Sequence, residues 1–207
     1  MKNNLEAIVL GGGGHARVLL DTVLKAKYRS IGIIDRAIPP RKKILDVEVI
    51  GTESLLSKGL NDSSDLFIGI GFHPKNNERQ SAFSRLKKMG LNVCGVLSPQ
   101  SYISKESKLG EGVHVLTNSI IHSGVIIGDN SIINTKSSVD HDSIIGKNCH
   151  LAPGAIICGN CSIGEGVYIG AGAVVINNIT IGSNCLIAAG ATVFKDLPDN
   201  TIYYGNN

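Results

Sequence analysis

The chain has 207 residues and a formal net charge of +3; hydrophobic residues make up 43% of it, aromatics only 4%, and Trp is absent. Lys and Arg are spread along the chain with no run longer than Arg41-Lys42-Lys43, which argues against an electrostatic nucleic-acid footprint, and no apolar stretch approaches the roughly 20 residues of a membrane span. With no charged and then apolar leader at the start, a cytoplasmic protein with neither nucleic-acid nor membrane partners is expected.

The 25 glycines and the aliphatic bias favour small repeated units over a core of large rings. The five cysteines, at 94, 149, 158, 161 and 185, are odd in number and lack a framework spacing, so disulfides are not expected. Cys158 and Cys161 form a CxxC without a second pair, so no metal is expected and packing is the simplest role for these thiols.

Taken in chain order, Ala7 to Leu10 is a short apolar run that enters Gly11-Gly12-Gly13-Gly14-His15-Ala16, after which Val18, Leu19, Leu20, Val23 and Leu24 recur at helical spacing. The pattern predicts strand, tight loop and helix. Ile31 to Ile34 predicts a second strand ending at Asp35, and Leu66 to Ile70 another ending at Gly71, with a Pro-rich basic loop between them from Pro39 to Lys43. Ser84 to Met89 predicts a helix and Asn92 to Leu97 a last strand. Alternating strands and helices imply a small parallel sheet with covering helices, a Rossmann-like α/β domain over residues 1–97.

The glycine loop fits G-x-G-x-x-A between strand and helix, where backbone N–H groups can cradle a diphosphate. Asp35, about 20 residues on, stands where a ribose-binding acid would be. The segment is too short for the two halves of a dinucleotide domain, so a mononucleotide or nucleotide sugar fits better than NAD.

From Ile103 an aliphatic residue recurs at every sixth position through Val193, sixteen times without an insertion. Four positions after each stands a small or aliphatic residue, from Ser107 to Leu197. Neither an amphipathic helix nor an array of hairpins keeps a strict period of six. A three-sided coil does, with one hexad per face, 18 residues per turn, turns stacked at about 4.8 Å, and Gly, Asn or Asp at the corners. Each buried aliphatic contributes about 1.5–3 kcal/mol against chain entropy. Residues 98–207 therefore form an all-β parallel β-helix.

This hexad pattern resembles the left-handed β-helix acyltransferases, and the left hand is what the resemblance implies. Nearly end to end, the chain is similar to the bacterial nucleotide-aminosugar N-acetyltransferases, which include the bacillosamine and perosamine enzymes and have sialic acid O-acetyltransferases as relatives. The matching residues are Gly11 to Ala16, Gly69-Ile70-Gly71 with Asn77 and Arg79, and Ile133-Asn134-Thr135 through Val139-Asp140-His141-Asp142.

The chemistry points separately to His141, because acetyl transfer to an amine requires a base with a pKa near neutrality. The resemblance implies that the following residue, Asp142, orients it, and that a glycine 18 residues on, Gly159, offers its N–H to the thioester oxyanion. It also implies acetyl-CoA contacts at His150, Ala171 and Ala189, a contact of Asn134 with the acceptor sugar, and contacts of Gly13, Gly14 and His15 with the sugar nucleotide. Arg36, beside Asp35, and Gly71 and His73, at the end of the Leu66 strand, complete the expected substrate site. Lys195, on the last coil, is a candidate for a coenzyme A phosphate. His114 and His122 are expected to be surface residues.

The expected partners are acetyl-CoA, a nucleotide-linked 4-amino-4,6-dideoxy sugar destined for a cell-surface glycan or O-antigen, and two further copies of the chain in a homotrimer with active sites between subunits. The rivals are a sialic acid O-acetyltransferase, distinguished by a hydroxyl acceptor, and a non-catalytic sugar-nucleotide-binding scaffold, distinguished by no thiol release.

Overall fold

The computed structural model describes residues 5–58, 64–72 and 76–205, and the chain divides after Val96 into two compact units.

In the first unit, the buried run of Ala7–Leu10 (β1) lies at the centre of a sheet, paired in parallel with Ile31–Ile34 (β2) on one side and Asp65–Ile68 (β5) on the other. β2 pairs in turn with Val47–Gly51 (β4), and a short hairpin strand, Lys43–Ile44 (β3), runs antiparallel to β4 at the edge. The predicted basic loop, Pro39 to Lys43, thus leads into a hairpin, and the sheet is mixed rather than wholly parallel. Gly14–Leu19 (α1) continues through a π-helical stretch, Leu20–Leu24, into Lys25–Lys27 (α2). Glu78–Lys88 (α3) starts six residues before the predicted helix; its Ala82 and Leu86 pack with Ile8, Leu10, Ile34, Leu66 and Ile68.

β5 stops at Ile68 rather than Ile70, because Gly69 crosses the glycine loop so closely that a Cβ on it would stand 2.4 Å from the Gly11 carbonyl oxygen. Of the strand expected over residues 92–97 only Val96–Leu97 forms. β1 is the point at which the chain changes direction across the sheet, and the loops after β1, β2 and β5 gather at its carboxyl edge, where α/β sheets bind ligands.

The second unit is a left-handed parallel β-helix in which two-residue strands stack in three parallel sheets. Partners lie 18 residues apart, as in Ile121 beside Val139 beside Ile157 beside Val175. The hexad aliphatics form one buried column from Val115 to Val193, with Ile103 and Leu109 partly covered at its lower end. From Val113 onward the slots beside them are buried as well. Ser119 and Ser137 donate their hydroxyls to the carbonyls of Leu116 and Asn134, and Ser131 and Ser143 to those of Gly146 and Cys158, so no buried hydroxyl of this set is wasted. Cys149, Cys161 and Cys185 fill the same slot, their Sγ atoms facing backbone carbonyls.

Fourteen corners, every sixth residue from Gly112 to Gly190, have φ between 57° and 73°. A side chain in this left-handed region costs about 1–2 kcal/mol unless it is absent, as in Gly, or short and locally bonded, as in Asn. Twelve corners are Gly or Asn; the exceptions are Lys136 and Asp142.

The last turn breaks the predicted period. Leu197 bridges to Ile181 and Ile202–Tyr203 pairs with Leu186–Ile187, 16 residues on instead of 18. Leu197 is therefore the principal interior residue of a shortened face rather than a slot filler, and Tyr203 joins the buried column. The Asp196 and Asp199 carboxylates accept the Thr180 and Ser183 N–H groups at 2.8 and 2.7 Å, so the short turn leaves those donors satisfied. Among the described residues, no helix is long and apolar enough to cross a membrane.

Candidate active site

The glycine loop and the β2 end are joined by Asp35. One carboxylate oxygen accepts the Gly12 N–H at 2.7 Å, and the other accepts the Ala37 and Ile38 N–H groups at 2.7 and 3.0 Å. Burial alone would raise the Asp35 pKa, but these three amides hold it below the ordinary carboxylate value. The acid expected to meet a ribose is thus first a staple for the loop. Asp35 and Arg36 line a cleft of about 260 Å³ with Leu10, Gly11, Ile70 and three charged residues that sequence reasoning missed, Glu53, Glu78 and Arg85. Arg36 pairs with Glu78 at 2.7 Å, and Arg85 makes a two-pronged pair with Glu53 at 3.1 and 3.0 Å. These partners lie far apart in sequence and carry no periodic signal.

Gly13 and Gly14 are exposed at the start of α1, with Gly13 as its N-cap and open space where their Cβ atoms would be. His15, in the first turn, is half-buried, and a Cβ on Gly71 would stand 3.3 Å from the His15 Cβ, so these two expected contacts adjoin. His73 lies outside the described residues. Arg79 is buried and donates from one Nη to the carbonyls of Ile68 and Ile70, at 3.0 and 2.8 Å, which clamps the turn through Gly69 against the glycine loop. Desolvation lowers its pKa to about 9.

On the β-helix the expected residues separate onto two edges of the prism. On the first edge, His141 immediately precedes the Asp142 corner. Its Nδ1 lies 2.9 Å from an Asp142 carboxylate oxygen, and its own N–H donates to Asp140. The Asp142 hydrogen bond, then the charges of Asp140 and Asp142, outweigh desolvation and raise the imidazole pKa above its ordinary value. Gly159 lies one turn above, where a Cβ would stand 2.6 Å from His141 Nε2. The missing side chain leaves the far ring nitrogen facing a bare backbone. Lys195, exposed, lies in the shortened corner between Val193, three strand spacings or about 14 Å above Val139, and Leu197.

The second edge carries Asn134, whose amide nitrogen lies 3.2 Å from His150 Nε2 while its Oδ1 accepts the Thr135 N–H. His150 is nearly buried and packs on the Tyr168 ring at 5.4 Å. Ala171 and Ala189 sit exposed one turn apart, immediately before the Gly172 and Gly190 corners of this edge. Within one chain, therefore, His141 with Gly159 and Asn134 with His150 stand at opposite ends of one face. The remaining histidines divide: His122 is exposed as expected, whereas His114 is fully buried, correcting the surface reading.

Comparison with known proteins comes to the same two units. The family of the PglD N-terminal domain matches residues 6–86, and that of the bacterial transferase hexapeptide (six repeats) matches residues 142–177 and 160–195. No curated protein matched the sequence. Among solved structures, the perosamine N-acetyltransferase of Caulobacter crescentus, in complex with CoA and GDP-perosamine, is 34% identical, with 93% of this chain and 90% of that chain covered and a TM-score of 0.84. The acetyltransferase domain of PglB from Neisseria gonorrhoeae, in complex with acetyl coenzyme A, is 28% identical over 95% of this chain and 94% of that one, at a TM-score of 0.87. WeeI from Acinetobacter baumannii is 27% identical over 97% of both chains, at 0.81.

Proposed function

The chain belongs to the hexapeptide-repeat sugar N-acetyltransferases with a PglD-type N-terminal domain, and from that membership we propose that it transfers the acetyl group of acetyl-CoA to the 4-amino group of a nucleotide-linked 4-amino-4,6-dideoxy sugar. The observation that carries the reading is the stack of Gly159 on His141, with Asp142 on the opposite ring nitrogen.

Asp142 accepts the Nδ1 proton, so the lone pair resides on Nε2, the ring nitrogen beside Gly159, which acts as the base. The sugar amine attacks the thioester carbonyl, Nε2 takes the amine proton, and collapse of the tetrahedral intermediate expels the coenzyme A thiolate, which recovers a proton to leave as the thiol. The Gly159 N–H is the donor for the developing oxyanion. Direct transfer is favoured over an acetyl-cysteine because the interior thiols are poor nucleophiles: burial pushes Cys149 up to about 12 and raises Cys161 as well. Gly13, Gly14, His15, Gly71 and the Asp35–Arg36 cleft bind the sugar nucleotide, while Ala171, Ala189 and Lys195 bind coenzyme A.

The chain works as a homotrimer whose sites form where the His141 edge of one copy meets the Asn134–His150 edge of the next. Supporting this, Ile120 and Ile156 on one face, and Ile126 and Ile144 on the adjoining face, point outward and are 39–48% exposed around the His141 edge.

Thiol release from acetyl-CoA, measured with 4-amino-4,6-dideoxy sugars on UDP, dTDP and GDP and with sialic acid, tests the reading. Turnover is expected with an amine acceptor and falls about 10²–10⁴-fold in His141→Ala. Turnover with sialic acid alone refutes the acceptor, and a near-normal kcat in the variant refutes the base.

A further inference from the structure

We propose that Lys136 is a binding cation for the diphosphate of the acceptor nucleotide sugar, an inference that rests on the acetyl-transfer reading above. Its backbone is the first indication. Lys136 is a corner residue with φ 59°, in a series where twelve of fourteen corners are Gly or Asn. Lysine has neither the bare Cα of the one nor the short, locally bonding side chain of the other. A residue held in a sparsely populated conformation points to a use that offsets the strain. The other exception, Asp142, has such a use in its hydrogen bond to His141.

The surroundings of Lys136 specify what that use is. The side chain is exposed, and among the described residues no carboxylate pairs with it, whereas Lys147 on the same β-helix pairs with Asp129 at 3.0 Å. The turn that carries it is rigid. The Asn134 carbonyl accepts both the N–H and the hydroxyl of Ser137, Asn134 Oδ1 accepts the Thr135 N–H, and the Lys136 N–H donates to Thr117. Lys136 thus stands two residues from Asn134, the group proposed to touch the acceptor sugar, which itself bonds His150. The corners above it on this edge, Gly154, Gly172 and Gly190, carry no side chain to crowd it. An ammonium on a flexible stem, without a carboxylate partner among the described residues and placed beside the sugar contact, suits the diphosphate that links the sugar to its nucleoside.

The substitution Lys136→Gly separates this from a structural role, because glycine suits the corner better than lysine does. The variant is expected to melt roughly 2–4 °C higher, yet to show a KM for the nucleotide sugar raised about three- to tenfold, on the scale of one exposed charge contact. The KM for acetyl-CoA stays within twofold, and Lys136→Arg retains most of the wild-type KM. Rising ionic strength weakens the wild type toward the variant. An unchanged sugar KM, or a rise in the acetyl-CoA KM instead, overturns the proposal. If the wild type turns over no nucleotide sugar, the functional reading itself has failed. Calorimetric titration of both proteins with GDP and UDP then decides the role of Lys136: weaker binding by the variant supports it, and equal dissociation constants, or no binding to the wild type, overturn it.

Discussion

Asp142 occupies a corner at φ 58° that asparagine would fill at less strain, and its carboxylate spends that strain on Nδ1 of His141. Replacing it with asparagine keeps the backbone and a hydrogen bond but removes the charge. Because that bond and that charge raise the imidazole pKa, the wild-type kcat/KM is expected to fall as pH drops through a value higher than that of an ordinary histidine. In Asp142→Asn the imidazole holds its proton less tightly, so the acid limb moves to lower pH while the plateau falls about 10–10²-fold. A pH–rate profile with an unmoved acid limb would show that the carboxylate does not tune His141. Gly159 offers a second residue-scale check. A methyl there would sit 2.6 Å from Nε2, so Gly159→Ala displaces the ring and is expected to lower kcat at least about tenfold. The φ of Gly159 lies outside the left-handed region, so the same variant should keep its melting temperature within a few degrees, as differential scanning calorimetry would show.

Among the elements, the turn after β5 is where side-chain chemistry sets backbone position. The Arg79 guanidinium holds the Ile68 and Ile70 carbonyls on either side of Gly69, and Gly69 abuts the glycine loop. Arg79→Met leaves these carbonyls without their donor in a buried site, and a loss of about 2–4 kcal/mol is expected in urea unfolding of the variant. The glycine loop also loses its floor, so the KM for the sugar nucleotide should rise while that for acetyl-CoA does not. Equal changes in both constants would mean a general loss of structure rather than a local one. The β-helix elements are independent of such single clamps, since each two-residue strand is held by the turns above and below it.

For the whole molecule, the division of candidate residues between two prism edges has a consequence that a mixture can test. His141 and Asn134 lie at opposite ends of one face, so an intersubunit site takes the histidine from one copy and the asparagine from another. Co-expressing His141→Ala and Asn134→Ala chains should therefore give hybrid trimers that recover a measurable fraction of turnover, although each variant alone is impaired. Absence of any recovery in hybrids purified through two different tags would place both residues in a site built from one chain. Sedimentation equilibrium reads the assembly directly, with a mass about three times that of the 21.8 kDa chain expected.

The β-helix was legible almost residue by residue, because a period of six admits few other solutions and every turn repeats the same burial of Ile, Val or Leu beside a small or aliphatic residue. Reading failed where the period failed: the shortened face at Leu197 depends on the Asp196 and Asp199 carboxylates replacing ladder contacts, a substitution no hexad count reveals. In the first unit the glycine loop and the strands at its centre were legible from apolar runs. The β3–β4 hairpin, the early start of α3 and the Arg–Glu pairs around the cleft were not: β3 has only two residues, α3 opens on the polar Glu78-Arg79-Gln80 without an apolar signal, and the pairs join residues distant in the chain. His141 was identifiable from its type and its flanking carboxylates, and the resemblance implied Asp142 and Gly159 as its neighbours; the 2.9 Å bond to Asp142 and the close approach of Gly159 to Nε2 are read from the closed coil. Sequence alone determined what is local and periodic, the burial pattern and the corner residues, because these follow from backbone geometry one turn at a time. Tertiary structure decided which side chains meet, because hydrogen bonds and ion pairs between residues 18 or more apart form only after the folded backbone has fixed the distance between them.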